Sequence, residues 1–424
     1  MSQQPSAQVG ATDEARRGPT GRQHTDRTGS SFRRWGWLLG LGALLPLSTA
    51  CVGARSPRTP VPVVRSEFAV ARDILRMRWS KVFAARLGFF SYKPQEFATA
   101  EVSDDGATVF IGTSKKTLFA LSQRSGETRW QHAFDSSVSS RPLFLKAGVA
   151  GPEALLIVGD DSGQVTALLA ESGQTRWTYR ARGPVQNQPV LAGGLLYVTS
   201  NEGRIYALDV RTGAWRWQYD REATDTFSVR GQSAPLVVKD RVFVGFPDGY
   251  LSCLNAETGE VLWNRPLAGE ATRFIDADGS PGLIGDTVVV SCYASGLFGL
   301  DVKDGSLRWR YEIEAAGPLT VDAEHGRIYV SSATQGLFCL DGKGRKLWQQ
   351  VMQGQGELSQ PTLWGPYLLV SAAISGLHIV DAESGELLQF FAPGQGATAA
   401  PMAKGRDVYL LSNAGDFFAL SRAQ

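Results

Sequence analysis

Few side chains in this sequence stand at spacings that could do chemistry. Arg230 lies five residues before Pro235, and Asp276 lies five residues before Pro281, with Asp278 two residues further on. Two neighbouring carboxylates could divide acid and base roles between them, but no nucleophile, metal set or histidine stands nearby in sequence to complete a reacting centre. A second reading pairs Arg230 with Asp276 or Asp278 as an internal ion pair between two loops. A third groups them with Phe227, Val229, Phe274 and Ile275, since apolar anchors beside an arginine and carboxylates suit protein binding. The four cysteines are Cys51, Cys253, Cys292 and Cys339, with no CxxC, no CxxCH and no adjacent pair, so metal, haem and redox chemistry all lack support. Cys253, Cys292 and Cys339 read as buried structural thiols, with a disulfide between neighbouring repeats as the alternative. His24 is isolated, as are His132, His325 and His378, which read as polar strand or turn residues. No catalytic residue, metal ligand or cofactor is expected.

The elements that must position this patch are repeats. The stretch PVLAGGLLYVTSNEGRIYALDVRTGAWRW, from Pro189 to Trp217, returns at least seven times between Thr99 and the C-terminus. Each copy gives a short run, usually begun by Pro, an alternating apolar run, a Gly turn, a second run, a second Gly turn and a run with the closing Trp. Aligned on that Trp, the copies read ALSQRSGETRW to Trp130, ALLAESGQTRW to Trp177, CLNAETGEVLW to Trp263 and GLDVKDGSLRW to Trp309. The copy ending at Trp348 is one residue short, and the next has Gln389 in place of the Trp. Strands this short, at a period of about forty to fifty residues, predict an all-β propeller rather than a sandwich.

The last copy, Pro401 to Gln424, stops before its fourth strand, while Ile74 to Lys81 forms a run holding Trp79 with no copy of its own. Pairing the two closes a ring of eight blades and leaves no open sheet edge at either terminus. One domain, residues 74–424, is therefore expected, in keeping with 43% hydrophobic residues and 47 glycines. Gly126, Gly173, Gly213, Gly259, Gly305, Gly344 and Gly385 precede the fourth strands, where a tight turn favours positive φ. The tryptophans read as wedges packed between adjacent blades, not as a ligand cage. A net charge of +2 argues against a nucleic-acid partner.

Function in a propeller sits mainly in its loops. The connectors from each closing Trp to the next opening Pro are uneven: Trp217 to Pro235 and Trp263 to Pro281 both span eighteen residues, against twelve for Trp130 to Pro142 and nine for Trp309 to Pro318. The two long ones are consecutive and so should lie side by side on one face. They carry Phe227, Val229, Arg230, Asp276 and Asp278.

Residues 1–34 are polar and basic and are expected to be disordered. Trp35 to Ala50, WGWLLGLGALLPLSTA, is short and basic-led, which suits a signal peptide; residues 1–50 then form a leader. Arg33-Arg34 offers a twin-arginine alternative. Ser48 and Ala50 satisfy an ordinary cleavage site, whereas Cys51 directly after the cut resembles a lipobox with Ser48 where Leu is usual. Lipidation of Cys51 is the expectation, with the Pro- and Arg-rich residues 51–73 as tether.

From about Ile74 to Arg422 the chain resembles the BamB family, the propeller lipoproteins of the bacterial outer-membrane β-barrel assembly machinery. FSVRGQSAP, Phe227 to Pro235, and RFIDADGSP, Arg273 to Pro281, carry the most specific part of the likeness. The resemblance implies eight blades closed by an N-terminal strand, a lipidated Cys51 on the periplasmic face of the outer membrane, and no enzymatic activity. It implies that Phe227, Val229, Arg230, Asp276 and Asp278 bind a periplasmic POTRA domain of BamA; Phe227 and Val229 stand where the family pattern has leucines. Other subunits of the assembly complex, and unfolded outer-membrane protein precursors added along exposed strand edges, are further implied partners. The ALDxxTGxxxW repeat also resembles the PQQ-like repeat of quinoprotein dehydrogenases, but the adjacent cysteine pair of those enzymes is missing here. An extracytoplasmic ligand-sensing or interaction propeller is the other alternative.

Overall fold

The computed structural model describes residues 73–83, 95–221, 233–267, 277, 279–352 and 354–423. They form eight four-stranded sheets. The third shows the plan: Val190–Ala192, Leu195–Ser200, Arg204–Asp209 and Trp215–Asp220 follow one another as an antiparallel meander. First strands of neighbouring blades meet, as Val190–Ala192 meets Leu236–Val238 and Gly282–Ile284 meets Ala316–Asp322. They therefore line the axis, and the fourth strands form the rim. The molecule is an eight-bladed β-propeller.

Burial explains why the second and third strands read as near-continuous apolar runs. A middle strand such as Leu155–Gly159 is covered on both faces by neighbouring blades and is buried throughout, whereas the rim strand Thr128–Ala133 exposes every second residue or more. The apolar core is divided among eight clusters, each shared by two adjacent blades. One joins Phe110 and Leu118 to Leu156 and Val158; another joins Leu410 and Leu420 to Leu369 and Ile379. At ~1.5–3 kcal/mol for each fully buried large aliphatic side chain, these junctions hold the ring.

The final sheet closes as the missing strand requires. Met402–Lys404, Asp407–Leu411 and Asp416–Arg422 are completed by Leu75–Val82 from the other end of the described chain, one residue later than the run Ile74 to Lys81. The register runs from Leu75↔Arg422 to Val82↔Asp416 with Arg78 bulged out between Met77 and Trp79. The other fourth strands carry the same bulge just before the closing position, as at Arg129, Arg216 and Leu262. Such a bulge sharpens the local twist; its presence in Leu75–Val82 shows a fourth strand like the rest.

The closing tryptophans pack between blades as expected, and all but Trp263 also donate an indole hydrogen bond. Trp130 lies against Gly173 of the next blade, where an added Cβ would stand 2.6 Å from the indole, and its Nε1 donates to Ala170 O at 3.1 Å. Trp79, Trp177, Trp217, Trp309 and Trp348 donate in the same way to Gln123, Val210, Ala256, Gly342 and Ala382. The turn glycine thus serves twice, since Gly173 holds φ at +73° and leaves room for the ring. Pro318 departs from the expected pattern. It lies within the first strand Ala316–Asp322, at a bulge between Ala316 and Leu319, instead of opening it, a position that needs no proline N–H.

Candidate protein-binding face

Phe227, Val229, Arg230, Asp276 and Asp278 lie outside the described residues, as do Phe274 and Ile275, and so does Cys51 with the rest of residues 1–72. What the structure describes is where the two long connectors leave the ring and where they return.

The first departs at Arg221, after the rim strand Trp215–Asp220. Its backbone N–H donates to Gly203 O at 2.9 Å, and its guanidinium Nε donates to Asp248 Oδ2 at 2.6 Å. The same guanidinium sits 4.1 Å from the Tyr250 ring centroid. Asp248 and Tyr250 belong to the fourth blade, so the arginine bridges two blades. The pair is largely buried, with side chains 19% and 9% exposed. Burial opposes the guanidinium's charge, yet the hydrogen bonds to Asp248 and Tyr219 outweigh it and raise its pKa.

The returns are tied together. Ser233 Oγ accepts from Gly245 N at 2.8 Å, and Ala234 N donates to Ser280 Oγ at 3.1 Å. Ala234 ends the first connector and Ser280 the second. Ala277, fully buried on the second connector, donates its N–H to Phe246 O at 3.2 Å. Any side chain at Gly245 would collide with Ala277 O. The fourth blade's hairpin 246–249 therefore receives Arg221 from one connector and Ala277 from the other.

Part of each motif is scaffold shared by other blades. Ser140 buckles Gly159 as Ser233 buckles Gly245, and Ser359 Oγ accepts from Ser371 N at 3.0 Å. Ser140-Arg141-Pro142, Ser233-Ala234-Pro235 and Ser359-Gln360-Pro361 thus repeat one device, fixing the chain before it enters the first strand. Gly279 holds the equivalent place in the second connector, where a side chain would strike Ser291 Oγ. The Ser-x-Pro recurrence is the sequence signal of this device.

The other chemically capable groups resolve as structure. Among the described residues, Cys253, Cys292 and Cys339 are buried thiols that form no disulfide. Burial pushes the Cys253 thiol up to about 11 and Cys339 up to about 12, which keeps both protonated and unreactive. His132 Nδ1 contacts Gly173 O at 3.0 Å, and exposed His325 bonds Asp322 within a turn. His378 Nε2 lies 2.9 Å from Ser375 Oγ, but burial pushes its pKa down to about 4 and Nδ1 has no partner among the described residues. Such an imidazole is a weak base whose Nδ1 no carboxylate orients among the described residues. Among the described residues no group of His, Cys, Asp and Glu side chains is arranged to hold a metal. A groove of about 820 Å³ opens between the third and fourth blades at the turns Gly193-Gly194 and Lys239-Asp240, the face opposite the connectors. The glycines lack side chains to fill it, and its charged lining is balanced, with Arg211, Arg216 and Lys239 against Asp209, Asp240 and Glu257.

BamB from Moraxella catarrhalis superposes with a TM-score of 0.67 at 22% identity, covering 82% of this chain and 100% of that one. A europium-containing methanol dehydrogenase gives 0.64 at 13% identity, covering 84% and 94%. A quinohemoprotein alcohol dehydrogenase from Comamonas testosteroni gives 0.60 at 14%, covering 82% and 76%. At these identities the likenesses show a shared fold, and BamB and the two dehydrogenases superpose about equally well. No curated protein matches the sequence. The sequence model of one family does match, described as outer membrane protein assembly factor BamB, over residues 114–350. That span runs from the first blade to the end of the sixth, takes in both long connectors and exceeds half the chain. On this match the chain belongs to the BamB family.

Proposed function

We propose that this chain is a non-enzymatic scaffold of the outer-membrane protein assembly machinery, which binds a periplasmic POTRA domain of BamA through its two long connectors. The observation that carries this reading is the bond from Ala234 N to Ser280 Oγ, which joins the ends of the two connectors in a chain of this family. Phe227 and Val229 then act as apolar anchors, with Arg230 on one connector and Asp276 and Asp278 on the other supplying charge-assisted hydrogen bonds at the centre. Lipidation of Cys51, followed by the tether to residue 73, would hold the ring at the periplasmic face of the outer membrane, where nascent barrels are inserted.

The test is capture of BamA from detergent-solubilised envelopes by the wild-type chain, by Arg230→Ala and by Asp276→Ala/Asp278→Ala, each first shown to keep its thermal unfolding profile. Removing a central desolvated charge costs about 2–5 kcal/mol of binding, so capture should fall well over tenfold. A variant that loses thermal stability instead supports an internal pair between Arg230 and the aspartates. Capture that survives both changes moves the site, and no capture by the wild type sinks the reading in favour of a sensing propeller.

A further inference from the structure

Seven of the eight blade junctions are built alike, and one is not. Trp79, Trp130, Trp177, Trp217, Trp263, Trp309 and Trp348 each pack against the turn glycine of the next blade. Between the seventh and eighth blades the equivalent position is Gln389, which pairs with Ile379 as Trp348 pairs with Cys339. Its Oε1 accepts the backbone N–H of Ile74 and of Leu75, both at 2.8 Å. Its Nε2 donates to Leu75 O at 3.0 Å. Ile74 O is taken by Ala423 N at 2.8 Å, so the first backbone groups of the closing strand are satisfied from both sides.

The exchange follows from chain connectivity. A tryptophan seat needs a turn glycine leading from the third strand to the fourth. In the eighth blade those two strands come from opposite ends of the chain, and the seat offers two N–H groups and a carbonyl instead. A carboxamide answers all three at once. An indole has one donor and no acceptor, and a carboxylate has no donor for the carbonyl. Ile74 and Leu75 are buried, so leaving their N–H groups unmade would be costly.

We propose that Gln389 is the latch of the ring: it sets the register in which the N-terminal strand docks, and thereby brings Trp79 onto Gly126 of the first blade. Strand register is otherwise open to slippage, and a slip of one residue would turn Leu75 and Trp79 outward. Two junctions therefore depend on one side chain, the seventh-to-eighth directly and the eighth-to-first through Trp79.

Hydrogen exchange of the full chain tests this, with the rim strand Trp215–Asp220 as internal control. Gln389→Leu, similar in size but without hydrogen bonds, should speed exchange across Leu75–Val82 by at least about tenfold while the control stays unchanged. Gln389→Trp restores the repeat's own residue and should loosen the strand as well. A folded Gln389→Trp protein that protects the strand as well as the wild type would make position 389 an ordinary wedge and overturn the latch. Should Gln389→Leu fail to fold, an Arg76→Cys/Ser421→Cys cross-link across two paired residues keeps the seam closed, and exchange is then read at the Ile74 and Leu75 amides. Fast exchange there upholds the latch; unchanged exchange overturns it.

Discussion

The two junctions from which the long connectors spring share a wedge and differ in their polar locks. Between the third and fourth blades, Trp217 Nε1 and Tyr197 Oη both donate to Ala256 O, at 3.1 and 2.9 Å, and Arg221 grips Asp248 across the gap. Burial first, and then the charge of Glu257, push the Tyr197 phenol up to about 12, so it remains a donor at physiological pH. Between the fourth and fifth blades, Trp263 packs against Gly305, but its Nε1 is buried with no partner among the described residues. The carbonyl of Val302, which stands where Ala256 stands in the other junction, accepts from Arg241 Nη1 instead. The apolar wedge is thus the common feature and the polar locks are local. Both connectors nonetheless meet on the fourth blade's hairpin 246–249, one through Arg221 on Asp248 and the other through Ala277 on Phe246 O.

Attacking the shared wedge should erase the difference with the largest effect. Gly259→Ala and Gly305→Ala place a Cβ 2.6 and 2.7 Å from the tryptophans and strain a positive φ; each should cost about 3 kcal/mol in denaturant unfolding. A smaller loss at one site only would mean that its tryptophan can yield.

Acid should act elsewhere, at the seventh blade. His378 is held neutral, its folded pKa pushed down to about 4 from an ordinary 6.5, so the unfolded chain binds the extra proton in that interval. Stability is then unaffected above pH 6.5 and falls as pH drops toward 4, by at most about 3 kcal/mol. Urea unfolding from pH 7 to 4 of the wild type and of His378→Leu measures it, and a dependence that survives the substitution assigns the effect to other groups.

Removing one lock should separate the junctions. Arg221→Ala leaves a mostly buried Asp248 carboxylate unpaired and should cost about 2 kcal/mol, with faster exchange in hairpin 246–249. If stability holds and only that hairpin loosens, the pair orders the connector's origin without supporting the ring.

The finest comparison is between Trp217→Phe and Trp263→Phe. Both lose ring volume, but only the first loses an indole hydrogen bond, so it should be the more destabilising by about 1 kcal/mol. Equal losses would show that Trp263 Nε1 is satisfied after all.

Much of the fold was legible because repetition multiplies weak signals. The Gly-to-Trp spacing located six fourth strands, the same spacing from Gly385 to Gln389 a seventh, and the orphan run around Trp79 supplied the eighth. Other features were present in the sequence without announcing their purpose. Ser-x-Pro reads as a turn until Ser233 is seen bonding Gly245, and the bulge residues Arg78 and Arg129 look like ordinary strand residues until register is known. Gln389 stood out as a missing tryptophan, but its reason depends on groups more than three hundred residues away. For the candidate site, the sequence supplied the length and composition of the connectors, and the structure supplied how their ends are fastened.

The blade plan, the closure of the ring and the place of its irregular loops can be read along the chain, since strand period, turn glycines and wedge spacing are local and recur. How neighbouring blades are locked emerges only in the folded ring, because the donor and the acceptor of each lock lie on different repeats. Trp217 and Trp263 occupy the same place in the pattern, and nothing within either repeat says which indole finds a carbonyl.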